Sequence, residues 1–184
     1  MNVLDLRAVQ NEQLIAELAE MLHRAFPGSD GFLTLEGARA EVLESLEEGR
    51  VSLVALDDDG HVGGWIGAIE SYNGCAYELH PLVVHEAWQG QGLGRRLVQE
   101  LEERVRATQA VSIYLGTDDA DYRTNLGGID LYPEPLKHAE RIESTNNHPV
   151  VFYRKMGYVV VGVLPDANGF GRPDIFMAKR IQRN

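Results

Sequence analysis

Cysteine is nearly absent from this chain: Cys75 stands alone among 184 residues. An internal disulfide is therefore excluded, and a lone thiol fits a reducing compartment, so a cytoplasmic location is expected. Long hydrophobic runs are missing too. No stretch approaches the roughly 20 apolar residues of a membrane span. The N-terminus, with Asp5 and no basic apolar leader, does not read as a signal peptide. Positive charge is scarce, with 17 Lys and Arg against 28 Asp and Glu, for a net charge of −11. Such a surface repels nucleic acid and favours cationic partners, although acidity also serves plain solubility. The six histidines are scattered at spacings that match no metal site, so no metal is expected.

What is there is an ordinary globular composition, 44% hydrophobic and 24% charged, long enough for one domain, 1–184, with its own core. The most informative stretch runs from Glu78 to Val98. It begins as an apolar, β-branched run that reads as a buried strand. It ends in Leu93, Leu97, Leu101 and Val105, whose fourfold spacing draws one apolar stripe on a helix. Between them stands Gln89-Gly90-Gln91-Gly92-Leu93-Gly94. Alternate glycines at a strand-to-helix junction leave backbone N–H groups uncovered where the helix dipole is positive, which makes an anion site. Arg95 and Arg96 follow in the first helical turn, where cations normally weaken a helix; a bound polyanion gives them a reason to be there.

Three phosphate-binding readings compete for this loop. A Walker loop needs Gly-Lys-Ser/Thr at its end, and this one has Gly94-Arg95-Arg96. A dinucleotide fingerprint needs G-x-G-x-x-G directly after a first strand, whereas these glycines follow the fourth candidate strand at G-x-G-x-G spacing. The third reading fits at every defined position. Gln89, Gly92 and Gly94 resemble the Q/R-x-x-G-x-G/A loop of the GNAT superfamily of acyl-CoA-dependent N-acetyltransferases. The bland alternative is a glycine-rich turn that only reverses the chain.

Elsewhere, Val3 to Arg7 reads as a strand. Asn11 caps a helix with Leu14, Ile15, Leu18, Met21, Leu22 and Ala25 on one face. Phe26-Pro27-Gly28-Ser29 ends it, and Thr34 caps a second helix with Gly49 as its stop. Val51–Leu56, Val62–Ile69 and Ala76–Val84 form an antiparallel meander, with turns at Asp57–Gly60 and Tyr72–Cys75. After the long helix, to about Gln109, come a strand at Val111–Leu115 and a poorly patterned tract, 120–147, with Glu134–Arg141 helical. A helix from Pro149 to Gly157 follows, then strands at Tyr158–Leu164 and Ile175–Ala178.

Several segments resemble the aminoglycoside 6′-N-acetyltransferases within the GNAT superfamily. They are Glu78-Leu79-His80-Pro81-Leu82-Val83-Val84, Tyr114-Leu115-Gly116-Thr117-Asp118-Asp119, the His148–Tyr158 segment with Phe152-Tyr153-x-Lys155-x-Gly157-Tyr158, and Val161 to Ile175 with Pro165-Asp166-Ala167-Asn168-Gly169. The likeness is strongest from about Tyr72 onward. It implies an α/β (α+β) GNAT fold, a central mixed, mostly antiparallel sheet of about seven strands flanked by helices and splayed at the acetyl-CoA site. It implies transfer of an acetyl group from acetyl-CoA to the 6′-amine of a polycationic aminoglycoside, a role in antibiotic resistance, and a homodimer. The same reaction on a polyamine or a protein or peptide amine, or a CoA-binding module without turnover, are the rival readings.

The resemblance also implies roles for particular residues. Backbone along Leu82, Val83 and Val84 pairs with the pantetheine arm, and an N–H near Leu82 or Val83 polarises the thioester carbonyl. Gln89, Gly90, Gln91, Gly92, Leu93, Gly94 and Arg95 hold the pyrophosphate. An alkylamine of pKa ~10.4 needs roughly 4–5 kcal/mol to be neutral at pH 7. Glu78 orients that amine, with Glu78, His80 or water taking its proton; for each side chain the alternative is a solvated or packed strand residue. Tyr153 is the candidate general acid for the leaving thiolate. Asp118 and Asp119 offer carboxylates to a cationic substrate, or else cap a turn. Phe26 and Tyr72 match aromatics that line the acceptor site, or else pack in the core.

Overall fold

The computed structural model describes residues 1–26 and 32–182, so the expected turn at Pro27-Gly28-Ser29 lies outside the described residues. The chain divides into two compact units, Met1–Val111 and Ser112–Asn184.

In the first unit, strands β1 (Asn2–Asp5), β2 (Arg50–Leu56), β3 (Val62–Ser71) and β4 (Ala76–Val84) lie side by side in that order, each pair antiparallel. Helices α1 (Leu6–Val9), α2 (Glu12–Ala25), α3 (Leu35–Glu44) and α4 (Leu93–Arg106) accompany them. The first strand stops short of the expected Arg7 because the Asp5 carboxylate accepts the Arg7 N–H at 2.9 Å and opens α1. The Arg7 guanidinium then donates to the carbonyls of Leu46, Glu47 and Arg50. Asn11 and Thr34 cap as their spacing predicts: Asn11 Oδ1 accepts from Leu14 N–H and Thr34 Oγ1 from Gly37 N–H, both at 3.0 Å. Gly49 is not the stop of α3, which ends at Glu44; with φ +78° it turns the chain into β2.

β3 is covered on both faces. On one, Trp65 shares a core with Val54, Val83, Leu14, Leu18, Leu22, Ala38 and Val42 from the neighbouring strands and α2–α3. Its indole N–H donates to Ser52 Oγ at 2.9 Å, and Ser52 meets Ser45 at 2.9 Å, so that core holds its polar atoms in bonds. On the other face α4 buries Leu93, Leu97, Leu101 and Val105, each burial contributing about 1.5–3 kcal/mol. The helix comes this close because β3 carries glycines. A Cβ at Gly64 would stand 2.9 Å from Leu97 Cδ1, and one at Gly63 would stand 3.0 Å from Leu93 Cδ2.

β4 holds one extra residue. Leu79 pairs with Ala68 and Leu82 with Ile66, so His80 and Pro81 together span the single position Gly67. A Cβ on Gly67 would come within 2.5 Å of the His80 carbonyl oxygen, which leaves room there for glycine alone. The pairing also fixes faces. Glu78 lies opposite Ile69 and Val83 opposite Trp65, on the α2–α3 side; Leu82 lies opposite Ile66 and Val84 opposite Gly64, on the α4 side.

The second unit contains β5 (Ser112–Asp118), β6 (Val159–Leu164) and β7 (Asp174–Arg180), ordered β5-β7-β6 and antiparallel, with helices α5 (Pro135–Glu140) and α6 (Val150–Lys155). β5 runs beyond the expected Leu115 because Gly116, Thr117 and Asp118 pair with Phe176, Ile175 and Asp174. β7 outruns Ile175–Ala178 at both ends for the same reason. The poorly patterned tract is tied down by polar contacts. Thr124 bridges Ser144, and the Asn125 side chain bonds the backbone of Arg141 and Glu143.

Candidate active site

The glycine loop is held in shape by its own side chains. The Gln89 amide donates to the Val84 carbonyl at 2.9 Å and the Gln91 amide to the Ala87 carbonyl at 2.7 Å. Both glutamines therefore shape the turn with one amide N–H each, and each keeps a second N–H and its carbonyl oxygen. Gly90 (φ +72°) and Gly92 (φ +88°) adopt left-handed backbone, and Gly92 caps α4 with no side-chain bond over the first turn. A Cβ at either glycine would meet nothing within 4 Å, so the space above these N–H groups is open. An uncapped first turn on a 14-residue helix, with open space over Gly90 and Gly92, suits an anion. Leu93 is in the core and offers only its backbone. The arginines divide their work: Arg96 donates to the Met1 carbonyl at 2.7 Å, while the exposed Arg95 guanidinium has no hydrogen-bond partner among the described residues.

On the α2–α3 side of β4, Glu78 and His80 are half-buried. The His80 ring stacks on Phe32, with centroids 5.8 Å apart and planes at 29°, and its Nε2 lies 3.7 Å from Glu41 Oε1. Phe26 is half-buried against the core and meets Phe32 at 5.7 Å. Tyr72 is the opposite case, 74% exposed on a left-handed turn residue with φ +51°. Sequence reasoning missed Phe32 and Glu41, whose partners lie far away along the chain.

The two adjacent aspartates of the second unit part company. Asp119 is 0% exposed, and its carboxylate accepts from Arg123 N–H, Thr124 N–H at 3.0 Å and Thr124 Oγ1–H at 2.6 Å. In this arrangement those oxygens are turned inward and hold the following loop. Asp118 ends β5, exposed, with Asn168 donating to its carboxylate. Tyr153 is buried and meets Phe152 edge-on at 5.1 Å and Tyr158 at 5.7 Å. That burial pushes its phenol well above the usual range.

His148 is a further residue whose role the sequence did not disclose. Its Nε2 lies 3.0 Å from the Asp118 carbonyl and its Nδ1 accepts the Val150 N–H at 3.1 Å, tying the start of α6 to the end of β5. Only the neutral ring with its proton on Nε2 can make both bonds. Burial is the largest cause of its lowered pKa. The unfolded histidine titrates near ~6.5, so between the two values the unfolded chain binds more protons and folding loses stability with acid. The Tm should be level above about pH 6.5 and fall as pH drops toward the folded value. Thermal melts of wild type and His148→Asn from pH 7.5 to 5 check this. Equal pH slopes in both proteins would show that His148 contributes nothing.

The Acetyltransferase (GNAT) family matches residues 15–137. A crystal structure of an aminoglycoside 6′-N-acetyltransferase complexed with coenzyme A is 38% identical over 100% of this chain and 99% of its own, with a TM-score of 0.89. That of the aminoglycoside 6′-N-acetyltransferase from Enterococcus faecium is also 38% identical over 100% and 99%, at 0.88. An aminoglycoside 6′-acetyltransferase type Ii is 34% identical over 100% and 99%, at 0.75. No curated protein matches by sequence. The chain therefore has the GNAT fold and belongs to the GNAT acetyltransferase family.

Proposed function

We propose that this acetyltransferase moves the acetyl group of acetyl-CoA to the 6′-amine of aminoglycoside antibiotics, confers resistance to them in the cytoplasm, and works as a homodimer. The observation that carries the reading is the end-to-end likeness to three 6′-acetyltransferases, one of them complexed with coenzyme A. The family match crosses the boundary between the two units, which supports one catalytic domain. Exposed apolar side chains in the second unit, Tyr132 and Leu136 beside α5 and Val159 and Val161 on β6, support a self-associating surface. The reading calls for no metal.

Acetyl-CoA supplies the acetyl group as a thioester. The bare first turn of α4, with Gly90, Gly92 and Arg95, holds its pyrophosphate, and backbone near Leu82 and Val83 polarises the carbonyl. Glu78 orients the acceptor amine, and Asp118 binds another of the substrate's cations. Tyr153 serves the departing sulfur. A free phenol near ~10 giving its proton to a thiolate near ~8.5 already works uphill by about 2 kcal/mol, and burial weakens the acid further. Tyr153 thus keeps its proton throughout neutral pH and acts best as a hydrogen-bond donor to sulfur.

The test is a thiol-release assay across 6′-amino and 6′-hydroxyl aminoglycosides beside spermidine and a lysine peptide. Antibiotics with a 6′-amine should turn over; those with a 6′-hydroxyl should bind and not react. A polyamine or peptide with kcat/KM above every 6′-amino antibiotic would replace the assignment, and acetyl-CoA binding with no turnover of any amine would make the chain a binding module.

A further inference from the structure

Glu41 stands on α3 between the Arg50 guanidinium and the His80 imidazole and accepts a hydrogen bond from neither. Its Oε1 is buried and accepts no hydrogen bond; Arg50 Nη1 lies 3.8 Å away and His80 Nε2 lies 3.7 Å away. A carboxylate oxygen withdrawn from water without a hydrogen bond is costly. Were its purpose to hold α3 to β2, it should close on Arg50, yet that guanidinium's other end reaches to Glu44 Oε2 at 3.5 Å. The remaining beneficiary is His80. Phe32 fixes the plane of the imidazole by stacking, and His23 Nδ1, 2.7 Å from the Phe32 carbonyl, steadies Phe32 in turn. A stacked ring can still turn over about its bond to Cβ, exchanging its nitrogen and carbon edges. The edge that carries Nε2 is the one within 3.7 Å of the Glu41 carboxylate, close enough for its charge to favour that rotamer.

We propose that Glu41 is a positioning residue for the acceptor: it fixes the orientation and tautomer of His80, with Nε2–H toward α3, so that Nδ1 is left as a hydrogen-bond acceptor for the substrate amine. The inference rests on the reading that places His80 in the acceptor site. It assigns work to a glutamate that lies 39 residues before its partner and touches no substrate. The order of contact is Glu41 and Phe32 on His80, and His80 on the amine.

A double-mutant cycle separates this from a structural role. His80→Asn and Glu41→Ala should each lower kcat/KM for a 6′-amino aminoglycoside by about tenfold, leave acetyl-CoA affinity unchanged, and together do no more than either alone. Glu41→Gln keeps the volume and a carbonyl acceptor for Nε2–H, so it should recover most of the activity even if the alanine variant folds poorly. Nitrogen-15 shifts of the His80 ring should report the Nε2–H tautomer in wild type and a mixture in Glu41→Ala. Additive losses, or losses that extend to acetyl-CoA affinity, would overturn the role of Glu41 while leaving His80 in the site. If His80→Asn alone turns over like wild type, the reading of His80 fails first and the inference with it.

Discussion

Gly92→Asp should lower acetyl-CoA affinity by about a hundredfold or more. Two costs combine. The position has φ +88°, where a side chain costs about 1–2 kcal/mol; the free loop relaxes to escape that strain, and binding must restore it. The new carboxylate would also stand over the first turn of α4, where nothing now lies within 4 Å of a Cβ. Two like charges about 4 Å apart repel by roughly 1–4 kcal/mol between the water and near-surface limits. Gly92→Ala carries the first cost without the second and should lose only about tenfold. Calorimetric titration of acetyl-CoA into wild type and both variants, with circular dichroism to establish the fold, measures the difference. Equal affinities in the alanine and aspartate proteins would move the pyrophosphate away from this loop. Rising salt should weaken wild-type binding and narrow the gap, because both effects pass through charge.

Asp119→Ala should cost about 3–6 kcal/mol of stability. Three donors, Arg123 N–H, Thr124 N–H and Thr124 Oγ1–H, converge on a carboxylate with no exposure. Each donor left unpaired in such a place costs about 1–3 kcal/mol, and backbone relaxation or entering water recovers part of the sum. For a chain of this size the Tm should fall by roughly 10 °C or more. Asp118→Asn, one residue earlier, should leave the Tm within a degree or two, because that carboxylate is exposed and bonded only to Asn168 among the described side chains. Its effect belongs to catalysis: in the proposed reaction it lowers kcat/KM for aminoglycosides more than tenfold, most for those with the most amines. Differential scanning calorimetry beside steady-state kinetics checks the pair. Were both variants to melt alike, the assignment of one aspartate to the loop and the other to the substrate would be wrong.

That contrast shows where reading the sequence stops. Asp118 and Asp119 are the same letter twice, and only the end of β5 decides which faces water. That end is set by pairing with Asp174, Ile175 and Phe176, partners far beyond any local window. Signals confined to a few residues were legible. Asn11 and Thr34 cap the helices their spacing announces, since a cap needs only itself and an N–H about one turn on. The glycine loop was legible because left-handed backbone at Gly90 and Gly92 and a leucine every fourth residue are both local. Gly49 misled for the same reason: a glycine after a helical stretch suggests a stop wherever it falls. His80 was visible as a candidate, but its partners Phe32 and Glu41 come from a region without a motif. Gln89 stood out as part of a loop pattern, while its bond to the Val84 carbonyl needed the folded chain.

The extra residue in β4 changes what position number means along that strand. In an unbroken strand Glu78, His80, Leu82 and Val84 would all look the same way, since every second residue does. Here the count slips at Gly67, so the first part of the series looks toward α3 and the second toward α4. One short segment thereby presents side chains of one parity to opposite sides, with the crossover at His80 and Pro81. For the proposed reaction, substitutions at 78 and 80 would register in the kinetics of the amine, and those at 82 and 84 in the kinetics of the thioester. In the proposed reaction the strand would work as a partition wall whose two rooms meet at its bend, and donor and acceptor would exchange the acetyl group there.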